Sequence, residues 1–142
     1  MCAIQRPLDT PSHVRIQIEA EVVLGLISLG EAGHLTLVSS DALHHENDQN
    51  PLLLRREYGF SVLARATETI ALTEAVRDRA QQFLAYGLKP LDALHVALAE
   101  AGKVDYFCTC DDRLRRQAQR IVDLTVNVVT PIDLFQKLEP LL

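Results

Sequence analysis

Three carboxylates lie where an alternating α/β chain would bring them to one edge of its sheet. Glu46 follows the apolar stretch at residues 35–38, Asp92 follows Pro90, and Asp111 ends the Phe-Cys-Thr-Cys segment at residues 107–110. Each therefore follows a predicted strand or opens a predicted helix, where ligands bind in open parallel sheets. Converging acids repel one another unless a divalent cation lies between them. This arrangement is typical of metal-dependent nucleases.

Each acid alone has an ordinary structural interpretation. Asp92 and Asp111 both lie at predicted helix N-termini, where Asp is favoured as a cap and by the helix dipole. Glu46 alone would be a solvated helix residue. The combination of all three in one order along the chain is what favours a functional site.

The histidines near these acids are weaker candidates. His44 and His45 precede Glu46, but adjacent residues on a helix face different directions, so a surface position is favoured for them. His95 lies three residues after Asp92 on the same helix face and could contact the site, although packing against the sheet is the favoured role.

Hydrophobic periodicity predicts one domain over residues 1–142, in which helices alternate with short strands. Such alternation indicates an α/β fold with a parallel sheet covered on both faces. Ser40, Asn50, Thr73 and Thr130 are predicted helix caps. The predicted strands cover residues 35–38, 69–72, 104–109 and 124–129, and the predicted helices include residues 14–29, 90–101 and 112–120, with a last helix reaching Leu138.

Composition limits the function classes. The 142 residues are 48% hydrophobic and 23% charged, as in ordinary globular domains. The net charge of −5 argues against a broad nucleic-acid groove. No apolar run is long enough to cross a membrane or to act as a secretion signal. Cys2, Cys108 and Cys110 form no C-x-x-C pair, which favours a reducing cytoplasm and buried small side chains over zinc ligation.

Several segments together resemble the PIN-domain family. Residues 90–99 (Pro-Leu-Asp-Ala-Leu-His-Val-Ala-Leu-Ala) and 109–114 (Thr-Cys-Asp-Asp-Arg-Leu) resemble its third and fourth acid motifs, and residues 39–46 resemble its second. The similarity extends from about residue 2 to 134. It implies a three-layer α/β/α fold with a mainly parallel sheet. It also implies an RNA-cleaving domain that uses Mg²⁺ or Mn²⁺, often the VapC-type toxin of a toxin–antitoxin pair, with a homodimer and an antitoxin as partners.

The resemblance assigns roles by position. Glu46, Asp92 and Asp111 match the second, third and fourth family acids, as catalytic residues and metal ligands. Thr109 matches the small polar residue beside the site. Asp112 is the adjacent alternative to Asp111, but the Thr-x-Asp spacing favours Asp111.

The first family acid lacks a good match. Asp9 lies in a Leu-Asp-Thr tripeptide, but residues 4–7 (Ile-Gln-Arg-Pro) would make a poor central strand. In one PIN subgroup the similar Ile-Gln-Arg-Pro-Leu-Asp stretch follows the first acid, which would place that acid and the first strand before Met1. We therefore expect Asp9 to lie outside the metal site, and residues 1–142 alone to bind cations weakly and cleave RNA little or not at all.

Two other functions remain open. Without the first acid, the chain could be a non-catalytic PIN remnant that binds RNA or a protein partner. A metal-dependent phosphatase on a similar sheet is the third possibility, although no G-x-x-x-x-G-K loop is present. In the nuclease interpretation, Arg113, Arg115 or Arg116 would meet the substrate phosphates from the helix after Asp111.

Overall fold

The computed structural model describes residues 2–142, in which helices alternate with four short strands. The helices are α1 (Cys2–Gln5), α2 (Val14–Glu31), α3 (Asp41–Asp48), α4 (Leu53–Leu63), α5 (Glu74–Phe83), α6 (Pro90–Ala101), α7 (Asp112–Gln119) and α8 (Pro131–Leu138). The strands are β1 (Val38–Ser40), β2 (Glu68–Ile70), β3 (Tyr106–Cys108) and β4 (Asn127–Val129). The α/β class predicted from the sequence is confirmed.

The strands pair in parallel, as predicted, but in two separate pairs. β1 pairs with β2, with Ser39 opposite Thr69, and β3 pairs with β4, with Phe107 opposite Val128. Within residues 2–142 no strand joins the two pairs and none precedes β1. Each strand spans three residues, so the strands are shorter than the apolar stretches that predicted them.

Most helix boundaries follow the predicted caps. The hydroxyls of Ser40, Thr73 and Thr130 each accept a backbone N–H three residues on, which satisfies one open donor of the first turn. The predicted Asn50 cap is wrong. Its Oδ1 accepts the N–H of Leu52 at 3.0 Å in a turn before the helix, and α4 begins only at Leu53.

The α1 helix was not predicted. It is followed by a 3₁₀ turn at Arg6–Leu8 and packs against α4, where the Gln5 side-chain amide donates to the carbonyl of Arg55 at 2.9 Å. Four residues are too few to show the hydrophobic repeat of a helix in the sequence. Its position therefore depends on these contacts and not on local preference.

The main core lies between α5 and α6. Phe83, Ala93 and Val96 are fully buried there, so α6 is held firmly on the rest of the domain. The first turn of α6 carries Asp92. The helix that presents this acid is thus anchored by the best-packed region of the described chain.

The α2 helix is only partly core. Val23 and Leu26 are buried, whereas Ile18 is 44% exposed. Glu19, which the pattern did not single out, is 1% exposed and lies 3.5 Å from both Arg6 and Arg15. Buried charges persist only where they are paired, so this acid ties α2 to the 3₁₀ turn.

No helix within residues 2–142 has the length and apolar character needed to cross a lipid bilayer.

Two helical glycines should respond oppositely to alanine. A Cβ at Gly59 would lie 2.1 Å from Oδ1 of buried Asn47, whereas a Cβ at Gly25 would have no neighbour within 4 Å. We expect Gly59→Ala to lower the free energy of unfolding by about 1–3 kcal/mol through overpacking. Gly25→Ala should raise it by up to about 1 kcal/mol through helix propensity. Urea denaturation of both variants measures this, and equal effects would contradict the close contact between α3 and α4.

Candidate metal and catalytic site

Glu46 lies in the second turn of α3, the helix that begins directly after β1. Ser40 is both the last residue of β1 and the cap of α3, where it accepts the N–H of Leu43 at 3.2 Å. One residue beyond Glu46, buried Asn47 donates to the carbonyl of Arg56 at 3.0 Å and fixes α3 against α4. The Glu46 side chain, 31% exposed, is therefore carried by a helix held at both ends.

His95 contacts Glu46 directly. Its Nε2 lies 2.5 Å from Oε2 of Glu46, and the histidine is buried. Burial works to raise the pKa of Glu46, but the hydrogen bond to His95 and nearby positive charge outweigh it and leave the pKa below its usual range. Glu46 is therefore held as a carboxylate. The predicted packing role of His95 was incomplete, because its side chain also hydrogen-bonds to Glu46. Its spacing of three residues from Asp92 was the sequence signal that could have indicated a contact with the site.

The charges of both other acids act on Asp92. It lies in the first turn of α6, and burial is the main cause that raises its pKa. The negative charges of Asp111 and then Glu46 raise it further, against the opposing positive charges of His95 and Lys89. The charges of Asp111 and Glu46 thus both act on Asp92, although the three carboxylates form no close cluster among residues 2–142.

Asp111 has the capping role that the sequence offered as one of its two interpretations. It caps α7, since its Oδ1 accepts the N–H groups of Arg113 at 3.0 Å and Leu114 at 3.1 Å. Buried Thr109 accepts the N–H of Asp111 at 3.1 Å and so shapes the turn after β3. These bonds use Oδ1, and the charge of Asp111 still acts on Asp92. The cap therefore fixes the conformation of the Asp111 side chain at the start of α7.

Asp112 is engaged elsewhere. Arg15 donates to both of its carboxylate oxygens, with Nη2 2.7 Å from Oδ1, and Arg115 lies 3.6 Å from the same oxygen. The hydrogen bond to Arg15 lowers the pKa of Asp112 to about 2. Because Asp112 is neutralised from α2, these contacts favour Asp111 as the site acid.

The candidate phosphate-binding arginines differ in their surroundings. Arg113 and Arg116 are exposed on α7, whereas Arg115 is half-buried and lies beside Asp112. The two exposed guanidinium groups are better placed to meet a ligand from solvent.

Asp9 lies in a different environment from the three acids. Its carboxylate is 2.8 Å from Nη1 of Arg6 and 3.0 Å from Nη2 of Arg55. It thus joins the 3₁₀ turn to α4.

The remaining histidines and cysteines are peripheral. His45 is exposed as expected, whereas His44 is half-buried, with Nε2 3.3 Å from Oγ of Ser39. Cys110 is buried and Cys108 half-buried. Cys110 also interacts with the Arg6 side chain, so it is more than a small apolar side chain.

The donor set fits Mg²⁺ or Mn²⁺ chemically, because these hard cations prefer oxygen ligands and the three acids supply carboxylates. Among residues 2–142, however, no three His, Cys, Asp or Glu side chains lie close enough to form a ready cluster. A cation that keeps several of its waters suits such a spread arrangement, since water can bridge to carboxylates that do not touch it.

A family model of the PIN domain matches residues 4–119, which include all three acids. The chain belongs to the PIN-domain family. Neither the curated proteins nor the solved structures contain a match to this PIN domain. Membership points to a nuclease-type function, and domains of this family commonly bind RNA and use divalent ions. It also accounts for the α/β fold with parallel strands described above.

Removing the charge of Asp92 should stabilise this PIN domain. Because its pKa is raised in the folded state, ionisation of Asp92 costs folding energy at neutral pH. We expect Asp92→Asn to raise the melting temperature by a few degrees at pH 7. That gain should vanish below about pH 4, where the unfolded carboxyl is protonated too. Mg²⁺ or Mn²⁺ should raise the melting temperature of the wild type more than that of the variant.

Asp112→Asn is the matched control, and its melting temperature should change in the opposite direction. The depressed pKa of Asp112 means that its ionised form stabilises the fold above about pH 4, and that this stability is lost as the pH falls toward about 2. The variant should therefore melt earlier than the wild type at pH 7. Differential scanning calorimetry across pH separates the two cases. A lower melting temperature for Asp92→Asn would show that Asp92 is not under repulsion.

Proposed function

We propose that this PIN domain is a metal-dependent endoribonuclease in which Glu46, Asp92 and Asp111 hold Mg²⁺ or Mn²⁺ directly or through water. The supporting observation is the raised pKa of Asp92, which reflects the charges of Asp111 and Glu46 in addition to burial. A cation bound between the three carboxylates would relieve this repulsion. Acids brought together without a cation would only destabilise the fold.

The side chains around the acids prepare them for this task. His95 fixes the orientation of Glu46 and keeps it ionised. The N-terminus of α7 fixes Asp111. A bound ion would supply an activated water and stabilise negative charge on the scissile phosphate. Arg113 and Arg116 would bind flanking phosphates. Since the net charge is −5, contact with RNA would be local and not an extended groove.

The biological setting proposed is that of a toxin paired with an antitoxin, in a cytoplasmic homodimer. This rests mainly on the resemblance to VapC-type proteins. Val14 is 71% exposed and Ile18 44% exposed on one side of α2, which supports a protein partner on that helix.

The second candidate is a non-catalytic PIN domain that binds RNA or protein. It is favoured by the spread of the acids, which form no three-ligand cluster among residues 2–142, and by the pairing of Asp9 with two arginines. Among residues 2–142, Asp9 thus does not join the three acids as a fourth. A metal-dependent phosphatase is a third candidate that shares the same acids.

A cleavage assay separates these functions. Since residues 1–142 alone are expected to cleave RNA little, we expect only trace cutting of a mixed-sequence single-stranded RNA with Mn²⁺, less with Mg²⁺, and intact p-nitrophenyl phosphate. Asp92→Asn should lower the rate by at least about 100-fold, because it removes a ligand carboxylate. Asp112→Asn should keep most of the activity, since its carboxylate is paired with Arg15.

The outcomes assign the function. Cleavage that is equal in the wild type and Asp92→Asn would indicate a contaminating nuclease and overturn the proposal. RNA binding without cleavage would establish the non-catalytic candidate. Hydrolysis of the phosphomonoester with intact RNA would establish the phosphatase.

The exposed arginines should contribute to RNA affinity without base specificity. We expect Arg113→Ala and Arg116→Ala each to weaken binding and to reduce the slope of log affinity against log salt by about 1, as for the loss of one phosphate contact. Arg115→Ala, whose guanidinium lies beside Asp112, is the control and should leave the slope unchanged. Fluorescence anisotropy over a salt series measures this, and three equal slopes would remove α7 from the RNA-binding surface.

A further inference from the structure

The α6 helix begins at a residue that does not favour a helix start. Lys89 is its N-terminal cap residue and makes no side-chain cap hydrogen bond, because an ammonium group has no acceptor. A positive charge at this end of a helix also opposes the helix dipole. Of the helices with eight or more residues in the described part of the chain, only α6 begins at a lysine or arginine. Helix stability therefore does not explain the lysine at this position.

The ammonium group of Lys89 lies near the candidate site without an ionic partner. Burial is the main cause that raises the pKa of Asp92, and the charge of Lys89 is among those that oppose it. Lys89 is nevertheless exposed, and within residues 2–142 no carboxylate forms an ion pair with it. Lys89 thus carries a positive charge beside Asp92 that can contact an anion from solvent.

Helix α7 borders the loop that carries Lys89. A Cβ at Gly87, two residues before Lys89, would lie 3.1 Å from Nε2 of Gln117, so the loop lies against the second turn of α7. Arg113 is four residues before Gln117 and therefore lies on the same face of α7, one turn closer to the start of the helix. Its side chain is exposed and forms no ion pair with the other described residues. Two unpaired cations are thus neighbours across the gap between α6 and α7.

These cations lie next to two of the candidate acids. Lys89 is three residues before Asp92. Arg113 is two residues after Asp111, whose charge acts on Asp92. The neighbouring Arg115, by contrast, is engaged in an ion pair within α7. Unpaired positive charge therefore flanks the acids on both helices, where a phosphate held at the acids would meet it.

We propose that Lys89 is a phosphate-binding residue of the candidate site, and that an RNA strand passes from Arg113 on α7 to the ammonium group of Lys89 beside Asp92. The inference rests on the proposed nuclease function and names a residue that holds the substrate at the acids. A lysine ammonium group binds phosphate as a compact charge with three rotatable donors. A cation bound by the acids would neutralise their charge, so that Lys89 would then act on the phosphate and no longer on Asp92.

Lys89 should have opposite effects on the two ligands of the site. Its charge attracts a phosphate but repels a divalent cation held by Asp92. We therefore expect Lys89→Gln to weaken RNA binding about 3–10-fold and to tighten Mn²⁺ binding about 2–5-fold. Lys89→Arg keeps the charge and should retain the RNA affinity of the wild type. A lysine with only a structural role would produce neither change in Lys89→Gln.

Lys103→Gln is the matched control, since it removes an exposed lysine just beyond the opposite end of α6. The 12 residues of α6 span about 18 Å, more than twice the screening length of about 8 Å at physiological salt. RNA affinity is measured by fluorescence anisotropy with a fluorescein-labelled single-stranded RNA of mixed sequence, over a KCl series at fixed Mg²⁺. Mn²⁺ affinity is measured by isothermal titration calorimetry without RNA. We expect Lys103→Gln to bind both ligands as the wild type does.

The outcomes separate this inference from the nuclease proposal. If Lys89→Gln bound RNA as Lys103→Gln does, while Arg113→Ala bound it more weakly than the wild type, the inference would be overturned and the nuclease proposal would stand. Weaker Mn²⁺ binding by Lys89→Gln would overturn the inference too, because Lys89 would then support the acids and not the substrate. A wild type that bound neither RNA nor Mn²⁺ would remove the proposed function itself, and this inference with it.

Discussion

The candidate site depends on the negative charges of Asp111 and Glu46, which act on the partly buried carboxyl group of Asp92. Acids outside the site are matched to arginines: Asp112 with Arg15, and Glu100 with Arg79. The site acids are treated differently. Glu46 is matched to a histidine, Asp111 to backbone N–H groups, and Asp92 has its pKa raised by burial and by its neighbours. The uneven distribution of counter-charge is what distinguishes a site from a charged surface here.

Rigid elements hold these charges in place. The helix of Asp92 has its buried face in the tightest part of the core, so it cannot move away from the other acids without losing packing. The helices that carry Glu46 and Asp111 start at strand ends with side-chain caps, which fixes their first turns. Packing energy thus maintains an electrostatic arrangement that would otherwise relax.

Many of the helix boundaries were predictable because they depend on local sequence. The helix at Pro90–Ala101 has a proline start and a glycine stop, and its bounds agree with the prediction. The order of the three acids along alternating elements predicted that they converge; their charges do act on Asp92, but they form no close cluster among residues 2–142. The Asn50 cap, the α1 helix and the buried Glu19 were not predictable, since each depends on contacts between distant segments. The separation of the strands into two pairs is also a tertiary property, because periodicity does not report which strands are neighbours.

The ion pairs of the N-terminal turn bear on the order in which the chain folds. Arg6 meets Glu19, Glu19 meets Arg15, and Arg15 meets Asp112, 97 residues further along the chain. Contacts across so long a loop carry a high closure entropy and form only once most of the chain is ordered. The turn beside Asp111 is therefore one of the last parts to be fixed. Partly folded molecules would accordingly present the three acids apart, and the proposed activity would require the complete fold.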